Sequence, residues 1–378
     1  MNKGRMEDEV RNFIVIWLSA FACLFYCNVV SVFVRKGMPR LMAMLPVILL
    51  FFIAPLHCLH TCHMGVATVF CLSWIANFKL LLLSFDTGPL SDLSLPPLHF
   101  LALACLPIIK ASSAQKPPPQ NPDNEKPQNG RNGQHEVVKG ITRVAVKCTS
   151  NGLNSPLHFA RRTLVLPLIP LIYAYKESIH PVVRVHIYSY YVYVIIEFLM
   201  VTYAMLTQWL LNLDLQQPFN DPYLSTSLRE FWGRRWNLVS TNILRLTIFN
   251  PMFHYLSKTL GQTWALSLSI LGTFLVSALM HELLYFQIFR VLPTWSFINF
   301  FVVQGLCLVI EGRLQTKFAT VRRGFPPPFV FFFVISSFAG LVMVDLVNHN
   351  VDTIFLNQYA ALLRVYQSWF RMIISLAC

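Results

Sequence analysis

The sequence predicts an all-α fold: a polytopic transmembrane helical bundle of about nine spans, with re-entrant or interfacial helices added. Three observations carry this. Of the 378 residues 55% are hydrophobic and 12% are charged, about half the charged share of a soluble globular chain. The apolar residues gather in runs, several of them near the roughly 20 residues that cross a bilayer. The basic residues fall mainly between those runs. A soluble domain has too little polar cover for this much apolar side chain. Lipid removes the need for such cover, provided each backbone group is satisfied inside a helix.

In chain order, the runs 13–34, 41–57, 64–84, 185–207, 262–289, 329–347 and 354–376 are candidate spans, and 163–175 and 296–310 are shorter ones. The first run is too long for a signal-peptide core and has no clear cleavage site, so it is expected to be retained. The run 95–109 is short and contains Pro96, Pro97 and Pro107, which points to a re-entrant or interfacial segment. Loop charge orients the whole. Arg35, Lys36 and Arg40 follow the first span, and residues 110–162 hold nine Lys/Arg against three Asp/Glu. Arg229, Arg234, Arg235 and Arg245 lie in 208–261, and Arg313, Lys317, Arg322 and Arg323 in 311–328. Nine spans, with 95–109 not crossing, place all four stretches in the cytosol. The N-terminus is then lumenal and the C-terminus cytosolic. Residues 112–136, rich in Asn, Gln, Pro and Gly, have too few apolar side chains to pack and are expected to be a disordered cytosolic loop. The chain 1–378 otherwise reads as a single membrane-embedded domain.

The formal charge is +13, from 30 Lys/Arg against 17 Asp/Glu. It is distributed between spans, with no separate basic domain and no zinc-finger spacing. Membrane lipids or an anionic substrate are therefore the expected partners, and nucleic acid is not. The nine cysteines are scattered without a CxxC pair and give no disulfide framework. His57, Cys58, His60, Cys62 and His63 crowd one span end with no second ligand pair at a standard separation, so no metal site is expected.

Two stretches carry polar chemistry. Residues 218–251 are too polar for a plain span and too aromatic for an ordinary loop. Ser227 and Glu230 form a capping-box pattern. Helical spacing pairs Glu230 with Arg234, sets Arg234, Asn237 and Thr241 on one face, and sets Trp232 and Trp236 on another. Gly233 would admit a neighbouring backbone. Two readings fit: an amphipathic helix on the membrane surface with arginines at headgroups, or an element of an active site. The second stretch, Leu275–Tyr285, holds His281 and Glu282 inside an apolar helix. Ionisable groups at membrane depth are expensive and point to function. Neighbours along a helix point about 100° apart, so Ser277 and Tyr285 share the face of His281 better than Glu282 does. A helix-packing histidine is the competing reading. Glu197, inside another span, reads as structural.

Pro222-Tyr223-Leu224-Ser225-Thr226-Ser227-Leu228, followed by Phe231-Trp232-Gly233-Arg234-Arg235-Trp236-Asn237, closely resembles the signature of the plant wax synthase family. These are long-chain-alcohol O-fatty-acyltransferases, with acyl-CoA–sterol acyltransferases among their relatives, within the membrane-bound O-acyltransferase superfamily. Ala76-Asn77-Phe78-Lys79-Leu80-Leu81-Leu82 and Asp86, Gly88, Pro89 and Leu90 extend the resemblance from the first span to about residue 312. Two departures are the longer loop at 112–136 and Leu246, where relatives often have proline.

The resemblance implies a membrane-bound O-acyltransferase bundle that esterifies a long-chain alcohol with the acyl group of acyl-CoA, at the endoplasmic reticulum membrane. It pairs Asn237 with His281. His281 is the expected general base, and Asn237 either donates to the developing oxyanion or holds acyl-CoA in place. Arg234, Arg235 and Trp236 are the expected acyl-CoA-binding residues, the arginines suiting the CoA phosphates, with headgroup binding as their competing role. Acyl-CoA enters as co-substrate, and no cofactor is expected. A sterol acceptor is the first alternative. A transporter lined by His281 and Glu197, and a non-catalytic lipid-binding protein, are the others.

Overall fold

The computed structural model describes residues 3–60, 62–92, 94–111, 172, 175–317, 324–355, 357, 358, 360, 361, 364 and 367. Among them, seven helices are long and apolar enough to cross a membrane. They correspond to seven of the nine expected spans. The other two, 163–175 and most of 354–376, lie outside the described residues, as does the 112–136 loop.

Helix α1 (Lys3–Phe33) packs against α2 (Met38–Cys58). Helix α3 (Met64–Ser84) is the central span: 72% of its most apolar stretch is buried, against 22–33% for the other six. Midway it relaxes into a π-helix, Val69–Ala76. The nine-residue α4 (Pro97–Cys105) is about 14 Å long, far short of the roughly 30 Å hydrocarbon core, and is not a span. It is held from inside the bundle. Lys79 of α3, only 1% exposed, donates through Nζ to the carbonyls of Leu103, Leu106 and Ile108 at and beyond the end of α4. A cation here answers the orphan carbonyls that every helix C-terminus carries.

A two-residue strand β1 (Ile109–Lys110) pairs antiparallel with β2 (Leu215–Gln216), which follows span α5 (Pro181–Leu211). Helix α6 (Leu238–Leu244) runs through a π-helical turn, Arg245–Phe249, into α7 (Asn250–Phe289). At Gly261 α7 bends sharply, since φ 76° and ψ 161° are open to glycine and strained for other residues. Beyond the bend the first limb folds back: a Cβ on Gly272 would meet the Met252 side chain at 2.6 Å. Spans α8 (Ser296–Lys317) and α9 (Pro327–Asn348) complete the described bundle.

Loops that the charge pattern assigns to one side of the membrane are in contact with one another. At one end, Lys36 and Arg40 meet Asp86 at 3.3 and 3.8 Å, and the Phe325 N–H donates to the Thr226 carbonyl at 2.7 Å. At the other, the His60 N–H donates to Glu9 at 3.1 Å, and the Thr294 hydroxyl donates to Asp345 at 2.6 Å. Arg290, whose affinity for its proton burial reduces, donates to the Leu56 and Leu59 carbonyls there. Around the bundle, Leu18, Phe33, Leu206 and Phe332 stay exposed, as lipid-facing side chains do.

Candidate active site

The polar segment before α6 does not lie on the surface. Phe231 is fully buried, and Trp232 packs edge-on against Phe274 of α7 at 5.6 Å and close to Phe300 and Phe301 of α8 at 6.2 and 6.1 Å. The surface-helix reading is therefore excluded. The segment enters the bundle as one helical turn, Leu228–Glu230, that widens into a π-helix, Phe231–Arg235.

Its start forms as the capping pattern predicts: the Ser227 hydroxyl accepts from the Glu230 N–H at 3.0 Å, a cap worth about 1 kcal/mol. The orphan N–H groups of Leu228 and Arg229 donate to Glu311 of α8 at 3.0 and 3.1 Å. Trp232 is fixed by a buried relay. Its Nε1 donates to Gln304 Oε1 at 3.2 Å, and Gln304 Nε2 donates to the Ser337 hydroxyl of α9 at 2.8 Å.

Three expectations for this segment need correction. Glu230 pairs with Arg235 at 2.7 Å, not with Arg234. A π-helix returns to the same face after five residues instead of four, and Trp236 N–H to Phe231 carbonyl is such a bond. Arg234, Asn237 and Thr241 do not share a helical face, because Asn237 (φ 36°, ψ 65°) breaks the helix and starts α6. A Cβ on Gly233 would meet nothing within 4 Å, so no backbone among the described residues approaches there.

Arg235 is half-buried and fully engaged: besides Glu230 it donates to the carbonyls of Asn220 and Asp221 at 3.0 and 3.3 Å. Burial raises the Glu230 pKa, but hydrogen bonds from Thr226 and Arg235 outweigh it and leave the carboxyl below its ordinary value. Arg234 is exposed and has no hydrogen bond or ion pair among the described residues. Close to it sits Arg245, half-buried, with only a long 3.5 Å contact to the Gly233 carbonyl. Burial, then the charge of Arg234, lower its pKa. Trp236 stacks on Phe231 at 5.5 Å and 16° and leans on Tyr193 and Phe219.

Asn237 is half-buried. Its Oδ1 accepts from the Ser240 N–H at 3.1 Å, capping α6, which leaves its Nδ2 hydrogens unengaged among the described residues. Asparagine is one of the few side chains at home in this left-handed conformation.

His281 lies across an aromatic layer from this segment, Trp232 touching Phe301, and Phe301 touching His281 at 4.6 Å. Asn237 and His281 do not hydrogen-bond to each other. Phe297 stacks on the imidazole at 5.7 Å, and Trp74 of α3 meets it edge-on at 4.9 Å. Nδ1 lies 2.7 Å from the Ser277 carbonyl. A carbonyl oxygen only accepts, so Nδ1 carries the hydrogen and the neutral ring presents Nε2 as a lone pair. That nitrogen has no protein partner among the described residues. Glu282 points elsewhere: it accepts from the N–H groups of Phe297 and Ile298 at 3.0 and 3.4 Å and caps α8.

A model of the membrane-bound O-acyl transferase family matches residues 215–303, the stretch that contains both Asn237 and His281. The long-chain-alcohol O-fatty-acyltransferase of Simmondsia chinensis is 33% identical over 366 residues, 96% of this chain and 97% of that protein. The chain belongs to the membrane-bound O-acyltransferase family. Two further relatives of this acyltransferase come from Arabidopsis thaliana. Its probable long-chain-alcohol O-fatty-acyltransferase 1 is 35% identical over 81% of this chain and 82% of its own. Its acyl-CoA–sterol O-acyltransferase 1 is 33% identical over 93% and 95%. The kinship places the chain among O-acyltransferases and not among transporters.

The sequence singled out Asn237, His281 and the Arg234–Trp236 stretch. It missed Trp74 and Arg245 as neighbours of these groups. Trp74 sits in an unbroken apolar run and Arg245 in an ordinary cationic loop, and no spacing rule connects either to residues so distant in the chain.

Proposed function

We infer that this membrane acyltransferase moves a fatty acyl group from acyl-CoA to the hydroxyl of a long-chain alcohol, with His281 as general base. The observation that carries the reading is the tautomer of His281. With Nδ1 committed to the Ser277 carbonyl, Nε2 is a proton acceptor without a protein partner among the described residues, walled by Trp74, Phe297 and Phe301. A hydroxyl is too weak an acid to attack a thioester unaided. A base in hydrogen-bond reach takes its proton as the C–O bond forms and gives it to the departing sulfur, so the product is an ester and free CoA thiol. The Nδ2 of Asn237 is a donor for the thioester carbonyl or for the CoA arm.

Arg234, with Arg245 beside it, is the phosphate-binding pair. Two guanidinium groups without an acid partner among the described residues favour an anion between them, and Arg234 is exposed to reach it. Arg235 shapes the preceding loop, and Trp236 fixes the wall behind it. Arg234→Glu is expected to raise the KM for acyl-CoA about tenfold or more, since a charge-assisted hydrogen bond is worth roughly 1.5–3 kcal/mol. An unchanged KM would give the pair to lipid headgroups instead.

A sterol acceptor is the second reading, because the sterol acyltransferase relative is as similar as the wax-forming ones. Both readings place the chain in the endoplasmic reticulum membrane, where apolar acceptors meet cytosolic acyl-CoA. Microsomes from cells without their own neutral-lipid acyltransferases, expressing this chain, separate the two when given labelled acyl-CoA with a fatty alcohol and a sterol in competition. Labelled wax ester is the expected product. Labelled sterol ester alone would move the protein to the second reading, and no ester of either kind would overturn both.

A further inference from the structure

Trp74 is 3% exposed, and its Nε1 is a buried donor with no hydrogen-bond partner among the described residues. Buried N–H groups are nearly always paired, and an orphan calls for an explanation. An indole nitrogen donates and never accepts, so what it lacks is an oxygen. Its position narrows which one. The indole meets the imidazole of His281 edge-on with ring centroids 4.9 Å apart. The indole is thus a direct neighbour of the ring proposed as the base. The residue lies within the π-helical turn Val69–Ala76 of α3, a local widening that often marks a functional position.

We propose that Trp74 Nε1–H donates to the carbonyl oxygen of the acyl thioester and holds it as it becomes an oxyanion, a role that rests on the acyl-transfer reading of His281. The acceptor hydroxyl is the poorer partner: its lone pair is the nucleophile, and a donor there would weaken the attack. In the step, the hydroxyl oxygen bonds to the carbonyl carbon, the C=O π pair moves onto the carbonyl oxygen under the indole N–H, and the hydroxyl proton passes to His281 Nε2. Collapse restores C=O, breaks C–S, and returns the proton from Nε2 to sulfur. A preorganised donor at that oxygen strengthens its bond just where charge develops.

The test uses the full chain in microsomes, with Trp74→Phe, which keeps an aromatic ring and removes the N–H. Should that variant fail to insert, 3-benzothienylalanine at position 74 replaces N–H by sulfur in an indole-shaped ring. Two acyl-CoA analogues complete the test: a ketone with CH2 in place of sulfur, which keeps the carbonyl oxygen, and a thioether, which lacks it. The expected result is a kcat lower by about 10²-fold, an unchanged KM for acyl-CoA and unchanged thioether inhibition, with weaker inhibition by the ketone. A kcat within about twofold of the parent in inserted protein overturns the proposal. So does an equal loss of affinity for both analogues, which marks a packing role. If the parent chain itself forms no ester, the acyl-transfer reading falls and the proposal falls with it. Ester formation by the parent with an indifferent Trp74→Phe removes the proposal alone.

Discussion

His281→Ala is expected to lower ester formation by about 10³-fold while leaving the chain inserted, the largest single effect anticipated here. Alanine sits comfortably in an apolar helix. The loss on the folding side comprises the ring contacts with Trp74, Phe297 and Phe301, at about 0.5–1.5 kcal/mol for each pair, and the hydrogen bond to the Ser277 carbonyl. Among the described residues, no other group is placed to take over the proposed role of base. Glu282, the next residue, is turned to the start of α8, where it caps Phe297 and Ile298. Ester assays on the purified variant, normalised to protein that resists carbonate extraction from membranes, decide the matter. Activity within tenfold of the parent would remove His281 from the role of base.

Asn237→Asp is the second large effect expected, and it separates the observed cap from the donor role proposed for the same side chain. Aspartate tolerates the left-handed backbone at φ 36° and still accepts from the Ser240 N–H, so the start of α6 survives. It has no N–H to offer. A carboxylate facing a developing oxyanion also repels it, so kcat is expected to fall by roughly 10²–10³-fold with little change in thermal midpoint. Asn237→Ala makes the contrast, since it loses the cap as well as the donor and adds backbone strain, about 1–2 kcal/mol of stability. Were the aspartate variant as active as the parent, Asn237 would be a helix cap and nothing more.

The sequence made most of this architecture readable, and the misses have physical causes. Long apolar runs become spans because lipid leaves the backbone few alternatives. The run 296–310 looked weak because its helix carries Gln304 and Glu311. Both are buried polar groups whose partners, Trp232 and the N–H groups of Leu228 and Arg229, lie far away in the chain. Glu230 was matched to Arg234 by α-helical arithmetic, and the π-helical turn moved the partner to Arg235. Ser227 was legible because caps are local, whereas Asn237 was singled out by the family signature and its cap on α6 was not foreseen. The contact of Trp74 with His281 was not, because it joins α3 to α7 and depends wholly on how the spans pack. The family signature singled out Asn237 and His281, and tertiary structure supplied the tautomer of one, the cap made by the other and the neighbours of both.

Glu311 anchors the start of the tryptophan-rich turn from 83 residues downstream of Leu228. During synthesis that anchor does not exist until roughly 4 to 16 seconds after Leu228 has been joined, at about 5–20 residues per second. For that interval the turn lacks the carboxylate that holds its first two amides, and over the last 30 residues of it His281 is already in the chain. The two orphan amides that open the tryptophan-rich turn are therefore satisfied only once α8 has emerged and docked.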